Sequence, residues 1–182
     1  MGKKIVVLEG SPRKGGNTDL LSDELIRGAL ESGHEVRKFY LAQENIHPCM
    51  GCNACRRSEE HNCVFRERDG FEKIVQAVIA ADVLVLASPV YFYSLTAQMK
   101  TALDRFYARM GEIHDKTAYL VTACLAPSEE YIETAKACFR GFIACFGNIR
   151  EGGVVAGFGT GEKGDVKKSP AMQAAYQMGR SI

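Results

Sequence analysis

The sequence predicts a single α/β domain in which a doubly wound, five-stranded parallel sheet carries helices on both of its faces. Short apolar runs alternate along the chain with longer segments of helical periodicity, which indicates parallel strands joined by crossover helices. The strongest runs are apolar at every position, as expected for strands that are buried on both faces. With 182 residues the chain is long enough for one such domain, which we assign to residues 1–182, and too short for two full ones.

The first strand, helix and second strand are predicted at the start of the chain. Residues 4–8 are an apolar run that ends at a glycine-containing polar loop, which is typical of a central parallel strand. Asn17 or Thr18 can cap the following helix, whose apolar residues recur at helical spacing until Gly33. The more polar pattern of residues 35–41 favours a strand near the sheet edge.

Beyond this unit the periodicity disappears over residues 42–68, which are predicted to form a long cysteine-rich loop. Irregular segments of that length are usually functional or disordered. Asp69 is placed to cap the next helix, and residues 83–87 form the strongest strand. The remaining predicted elements are helices over residues 97–109, with Thr96 as cap, 128–146 and 170–179, and strands over residues 117–122 and 149–155.

Composition and charge narrow the possible partners. The formal net charge is +1 and the basic residues are interspersed with acids, so neither nucleic acid nor an anionic membrane is an expected partner. No apolar run approaches the ~20 residues of a membrane helix, and we expect no signal peptide. Seven cysteines, an odd number with four in one short stretch, argue against a disulfide framework and favour a reducing cytoplasm.

The loop between the first strand and the first helix, with the sequence GSPRKGGNT, is predicted to bind a phosphate group. Backbone N–H groups at a helix N-terminus, here from Gly16 onward, favour an anion. Ser11, Asn17 and Thr18 can donate to phosphate oxygens, and Arg13 adds a bidentate positive charge. The glycine spacing fits neither the dinucleotide fingerprint nor the NTPase phosphate loop, so a phosphomonoester is the expected ligand. The alternative is a polar loop without a ligand.

A second candidate segment follows the third strand. In open α/β sheets, ligands bind beyond the carboxyl ends of the strands where the winding direction changes. Three adjacent aromatic residues lie there, together with backbone N–H groups that could bond the pyrimidine edge of a flavin. The alternative is that the aromatics only fill space between loop and helix. The candidate ring-binding residues are Pro89, Val90, Tyr91, Phe92, Tyr93 and Ser94.

With these motifs the chain resembles the NADPH-dependent FMN reductase family of the flavodoxin-like superfamily, in particular its iron-sulfur flavoprotein branch. The resemblance spans essentially the whole chain and depends on GSPR with GNT in residues 10–18, SPVYF in residues 88–92, and MK with DR in residues 99–105. It implies the strand order 2-1-3-4-5, FMN as cofactor, and a homodimer or homotetramer in which a neighbouring subunit helps to enclose the flavin. It also places Ser11, Arg13, Asn17 and Thr18 at the phosphate and residues 89–94 at the ring.

Four cysteines in the predicted loop form a candidate metal site. Cys49, Cys52, Cys55 and Cys63 put three thiols at intervals of three with a fourth close behind, a spacing that can surround a 4Fe-4S cluster. The iron-sulfur branch carries a similar compact motif, and the gap before Cys63 is long for it. A thiol loop without metal and a zinc site that includes His61 remain alternatives.

The first functional hypothesis is an enzyme that takes hydride from NAD(P)H onto FMN and passes electrons to a flavin, quinone or other acceptor. Such hydride transfer depends on stacking and positioning, so no acid–base catalytic residue is predicted. The second hypothesis is an electron carrier that connects FMN, a 4Fe-4S cluster and ferredoxin. A non-enzymatic flavin redox sensor is the third.

Overall fold

The computed structural model describes residues 2–182 and contains one five-stranded parallel sheet of order β2-β1-β3-β4-β5. This confirms the predicted doubly wound, flavodoxin-like fold, with β2 at an edge as its polar pattern indicated. Each neighbouring pair of strands runs parallel, so the carboxyl ends of all five strands meet at one edge of the sheet. The strands are β1 (Lys4–Glu9), β2 (Glu35–Tyr40), β3 (Val83–Pro89), β4 (His114–Ala123) and β5 (Gly147–Gly157).

Six α-helices occur in the described residues, one more than the sequence predicted. The additional helix is a single turn within the cysteine-rich loop and is too short to produce a periodic pattern. The predicted helix 97–109 changes to a 3₁₀ helix after Arg105, and the predicted helix 128–146 starts with a 3₁₀ turn. The helices are α1 (Asn17–Glu31), α2 (Ala54–Arg57), α3 (Phe71–Ala80), α4 (Ala97–Arg105), α5 (Glu133–Ile143) and α6 (Ala171–Ser181).

The sheet separates two apolar cores. Val6 and Leu8 of β1 face a core with α3, α4 and α5, whereas Ile5 and Val7 face a core with α1 and α6. Alternate residues of a strand point to opposite faces, so a strand covered on both faces must be apolar at every position. No helix among residues 2–182 has both the length and the apolar character needed to span a membrane.

The helix starts show which capping predictions were right. Thr96 Oγ1 accepts a hydrogen bond from Met99 N at 3.2 Å, which confirms it as a capping side chain. Gly70 is the N-cap of α3, so the cap predicted at Asp69 is wrong by one residue, although Asp69 Oδ1 accepts from Phe71 N at 3.1 Å. The cap predicted for α1 was wrong. Gly16 occupies the N-cap position and no side chain of the described residues caps this helix, so its first N–H groups stay available.

Candidate active site

A cleft of about 190 Å³ lies at the carboxyl edge of the sheet, next to the ends of β1, β3, β4 and β5. Eight of the eleven predicted cofactor-binding residues line it, which brings the phosphate loop (residues 11–18) and the start of the aromatic turn (residues 89–94) together. Those eight are Ser11, Arg13, Gly16, Asn17, Thr18, Pro89, Val90 and Tyr91. The cleft therefore occupies the position where open α/β sheets bind ligands.

The phosphate loop is shaped from beneath by two buried carboxylates. Glu9 Oε1 accepts from Ser11 N at 2.9 Å, and Asp19 Oδ2 accepts from Gly15 N at 2.6 Å. Arg13 N donates to Ser11 Oγ at 3.2 Å. These amides are directed into the protein, so the donors left for an anion are the first N–H groups of α1 and the side chains that face the cleft.

Two side chains of the loop are suited to hold a phosphate. Thr18 is 1% exposed, and its Oγ1 has no hydrogen-bond partner within residues 2–182. A buried hydroxyl without a partner is costly, and it marks a place where a ligand acceptor is expected. The exposed Arg13 lines the same cleft, and no acidic side chain of the described chain forms an ion pair with it. The residues present therefore fit a phosphate group.

The aromatic turn has a strained backbone. Phe92 and Tyr93 have φ values of 48° and 65°, and Tyr91 and Ser94 exchange backbone hydrogen bonds of 2.9 and 3.1 Å across them. Two consecutive aromatic residues at positive φ are uncommon, and such strain is concentrated at functional sites. The Phe92 ring is fully exposed, whereas the Tyr93 ring stacks on Tyr131 at 5.8 Å.

Only some backbone N–H groups of the aromatic turn are available for hydrogen bonds to a flavin ring. Val90 N donates to Ala123 O at 2.9 Å, and the amides of Tyr91 and Ser94 are bonded to each other's carbonyls. Of the backbone amides that could bond the pyrimidine edge of a flavin, these three are therefore already used to close the turn. In the described part of the chain, Phe92 and Tyr93 provide the turn's remaining amide donors.

The cysteine loop (residues 42–68) is anchored at its base and open at its tip. Asp69 and Arg105 form an ion pair in which both side chains are almost fully buried. Asp69 Oδ2 also accepts from His47 N at 2.9 Å, and Arg105 Nη1 donates to His47 O at 2.7 Å. The pKa of Asp69 is lowered, because hydrogen bonds from Arg105, His47 and Phe71 outweigh the opposing effect of burial. The base of the loop is therefore clamped from both sides.

The four cysteines of this loop are free thiols. Burial raises the pKa of the Cys55 thiol, and the charges of Cys63, Cys52 and Cys49 raise it further, so these three cysteines lie within electrostatic reach of Cys55. Within residues 2–182, however, no three His, Cys, Asp or Glu side chains are close enough together to hold a metal ion. Four thiols are suitable ligands for an iron-sulfur cluster, but in this structure they lie too far apart to bind one.

Comparison with known proteins decides the family. The sequence profile described as NADPH-dependent FMN reductase matches residues 3–144, more than three quarters of the chain. The chain belongs to the NADPH-dependent FMN reductase family. This confirms the resemblance that the phosphate loop and the aromatic turn indicated.

Several curated proteins similar to this chain are named iron-sulfur flavoproteins. One from Archaeoglobus fulgidus is 40% identical over 102 residues, which are 56% of this chain and 44% of that protein. One from Methanosarcina thermophila is 35% identical over 102 residues, which are 56% of this chain and 51% of that protein. The matched segment thus spans about half the length of the curated relatives.

Solved structures agree on the fold. An NAD(P)H:quinone oxidoreductase from Methanothermobacter marburgensis superposes with a TM-score of 0.77 at 15% identity, covering 100% of this chain and 96% of that one. An azoreductase from Bacillus anthracis superposes with a TM-score of 0.76 at 15% identity, covering 99% of this chain and 100% of that one. At such identities the likeness concerns the fold.

Asn17 contributes to this family site differently from the prediction. Its Nδ2 donates to Thr160 O at 3.3 Å and to Glu162 O at 2.8 Å, while its Oδ1 accepts from Gly164 N at 2.9 Å and from Val166 N at 3.3 Å. The side-chain amide therefore holds the loop after β5 against the start of α1. The backbone N–H of Asn17, in the first turn of α1, is its available phosphate donor.

Sequence reasoning missed five residues that line the cleft. They lie at or beyond the carboxyl ends of β4 and β5, and parallel strands end at the same edge, so the topology could have indicated them. Conversely, Ser94 lies outside the cleft, on a larger apolar groove of about 510 Å³ that also includes Lys100 and Asp104. Lys100 Nζ donates a hydrogen bond to Asp104 Oδ1 at 2.6 Å. Because this positive charge is already paired, we do not assign the phosphate to this groove. The missed residues are Ala123, Cys124, Leu125, Thr160 and Gly161.

Proposed function

We propose that this chain is an NAD(P)H-dependent oxidoreductase that binds FMN with its phosphate on residues 11–18 and its ring beside residues 89–94. The observation that carries the proposal is the buried Thr18 hydroxyl in the same cleft as the Arg13 guanidinium, since neither group has a partner among residues 2–182. A charge-assisted contact from Arg13 and a satisfied Thr18 hydroxyl both favour a bound phosphate. Family membership supports FMN and a nicotinamide donor.

The residues of the chain position the reactants in this proposal. Bound FMN supplies the hydride and electron chemistry, between a nicotinamide and a flavin, quinone or other acceptor. Thr96 connects the two binding segments, because its Oγ1 donates to Gly10 O at 2.8 Å while its N donates to Ser88 Oγ at 3.0 Å. This connection fixes the phosphate loop relative to the aromatic turn. The chain's contributions are orientation, electrostatics and exclusion of water.

Anaerobic absorbance spectroscopy tests the proposal. The full chain loaded with FMN is mixed with NADPH, NADH or dithionite in a stopped-flow instrument, followed by a soluble quinone or flavin. We expect one FMN per chain, bleaching of its absorbance by a nicotinamide, and recovery on addition of acceptor. Reduction by dithionite combined with none by either nicotinamide would reject the reductase and favour the electron carrier or the redox sensor.

We also propose that the cysteine loop can hold a 4Fe-4S cluster on Cys49, Cys52, Cys55 and Cys63. The electrostatic effect of Cys49, Cys52 and Cys63 on Cys55 and the names of the relatives support it. Arg57 Nη2 donates to Cys52 O at 3.1 Å, which places a positive charge beside the thiolates. In that case electrons could pass between FMN, the cluster and ferredoxin.

Iron and acid-labile sulfide analysis after anaerobic reconstitution tests the cluster. We expect about four iron atoms per chain, as the four-cysteine cluster requires. A Cys55→Ser variant should lose them, whereas Cys145→Ser, an exposed cysteine outside the loop, should not. Fewer than about one iron atom per chain with FMN binding intact would reject the cluster and leave a reduced thiol loop, or, if zinc is found instead, a zinc site.

Finally, we propose that the chain forms a homodimer or homotetramer. The fully exposed Phe92, with Tyr91 and Tyr93 partly exposed beside it, forms an apolar surface next to the cleft, which a second subunit would cover. Light scattering coupled to size exclusion measures the assembly. A monomer in the presence of FMN would contradict this proposal.

A further inference from the structure

Glu9, the last residue of β1, lies directly beneath the phosphate loop. Its side chain is fully buried. Oε1 accepts the Ser11 amide at 2.9 Å, and Oε2 lies 2.9 Å from Ser22 Oγ on α1. A change in the charge of this carboxyl therefore alters the hydrogen bond that it accepts from the loop backbone.

The contacts of Ser22 can all be satisfied when Glu9 carries a proton. Ser22 Oγ lies 2.9 Å from Glu9 Oε2 and 2.9 Å from Asp19 O, but a hydroxyl has a single hydrogen to donate. If Glu9 is ionised, the hydroxyl can serve only one of these two acceptors. If Glu9 is protonated, the carboxyl donates to Ser22 Oγ and the hydroxyl donates to Asp19 O.

Burial disfavours the ionised form of Glu9, and the nearest positive charge is shared with other carboxyls. Lys38 Nζ is 4.0 Å from Glu9 Oε2, but it also pairs with Asp19 and, at 2.7 Å, with Asp23, so three carboxyls share one ammonium. Burial raises the pKa of Glu9 to about 7, although the Ser11 amide, Lys38 and Ser22 act to lower it. The titratable groups that surround this cluster are Lys38 and Tyr40 on β2, Asp19 and Asp23 on α1, and Lys14 in the loop.

We propose that Glu9 is a positioning residue that takes up a proton when the phosphate of FMN binds to the loop above it. The inference rests on the phosphate site of the proposed function. An FMN phosphate brings further negative charge towards three carboxylates that are balanced by one ammonium. A proton on Glu9 reduces that repulsion while its carbonyl oxygen keeps the bond from the Ser11 amide.

The sign of the pH dependence follows by linkage. Bound phosphate raises the proton affinity of Glu9, so FMN binds most tightly when Glu9 already carries a proton, and its affinity falls as pH rises through about 7. The second ionisation of the phosphate itself, with a pKa of about 6, acts in the opposite direction and at lower pH. Riboflavin, which lacks the phosphate, should show neither effect.

Calorimetric titration of FMN into the flavin-free full chain tests this coupling. At about pH 7.5, titrations in two buffers of different ionisation enthalpy report the protons taken up per FMN bound. We expect a substantial fraction of one proton, and a dissociation constant that rises several-fold between about pH 7 and pH 8.5. Glu9→Gln, which mimics the protonated carboxyl, should bind FMN without this uptake, whereas the exposed control Glu35→Gln should behave as the wild type.

The outcomes distinguish this inference from the proposed function. FMN binding by the wild type without proton uptake would overturn the role of Glu9 and leave the phosphate site standing. Equal proton uptake in the wild type and in Glu9→Gln, or equal uptake with FMN and riboflavin, would also overturn it. Absence of FMN binding by the wild type would reject the phosphate site and this inference together. If Glu9→Gln does not fold, the comparison of FMN with riboflavin in the wild type still decides.

Discussion

The phosphate loop and the cysteine loop are both irregular segments, but they are held in different ways. Two amides of the phosphate loop bond to the buried carboxylates of Glu9 and Asp19, which in turn contact Lys38. The cysteine loop is fixed at its base by Asp69 and Arg105, while its thiols are exposed or half-buried. Buried carboxylates thus hold the phosphate loop from beneath, whereas the buried ion pair of the cysteine loop lies at its base, away from the thiols.

This difference shows which site is formed before its ligand arrives. Buried polar networks with satisfied partners rigidify the groups they contact, so the phosphate loop presents its donors without rearrangement. Thiols that lie apart come together around a metal only if the free energy of metal binding exceeds the cost of ordering the loop. We therefore expect FMN binding to change the structure little and cluster binding to change the cysteine loop.

The clamp at the base of the cysteine loop should give the largest effect. Arg105→Ala leaves Asp69 buried without its ion pair, which costs about 3–5 kcal/mol. Denaturant unfolding of the flavin-free chain measures the loss. The matched control is Lys100→Ala, whose exposed pair with Asp104 is worth about 0.5 kcal/mol or less. Similar values for the two variants would show that the buried clamp does not stabilise the fold.

Substitution of Glu9, the buried carboxyl beneath the phosphate loop, should give the next largest effect, which is a gain rather than a loss in the free energy of unfolding. The pKa of Glu9 is raised from 4.5 to about 7 in the folded chain, so ionisation of Glu9 destabilises the flavin-free fold increasingly as pH rises across that interval. At about pH 8, Glu9→Gln should increase the free energy of unfolding by about 3 kcal/mol. The gain should fade towards about pH 5, and an equal difference at both pH values would contradict it.

Removal of the Arg13 guanidinium should weaken FMN binding rather than the stability of the fold. Arg13→Ala loses a charge-assisted contact worth about 1.5–3 kcal/mol, so FMN affinity should fall at least about tenfold, as measured by fluorescence quenching of the flavin. Arg37→Ala, another exposed arginine, is the control and should bind FMN as the wild type does. Unchanged FMN affinity in Arg13→Ala would count against the phosphate assignment.

The fold could be predicted from the sequence because the patterns that indicate strands and helices lie within short segments of the chain. Residues 83–87 are apolar at every position, and the alternation of elements leaves few topologies. The role of Asn17 was not accessible in this way, since its amide is used by the distant residues 160–166. Likewise, no spacing rule shows that the Glu9 side chain bonds the loop two residues later, because a buried acid at the end of a strand has no periodic pattern.

The smallest expected effect tests the central claim most directly, because the phosphate site predicts two changes of opposite sign from one substitution. Thr18→Val removes a buried hydroxyl that has no partner in the described chain, whereas the control Thr122→Val removes one that donates to Ser88 O at 2.8 Å. We predict that Thr18→Val stabilises the flavin-free chain by about 1 kcal/mol and weakens FMN binding by about fivefold or more, while Thr122→Val destabilises the chain by about 1–3 kcal/mol. The measurement is denaturant unfolding of each variant with and without saturating FMN. If Thr18→Val instead destabilises the flavin-free chain and leaves the FMN-dependent gain in stability unchanged, the phosphate does not bind at this loop.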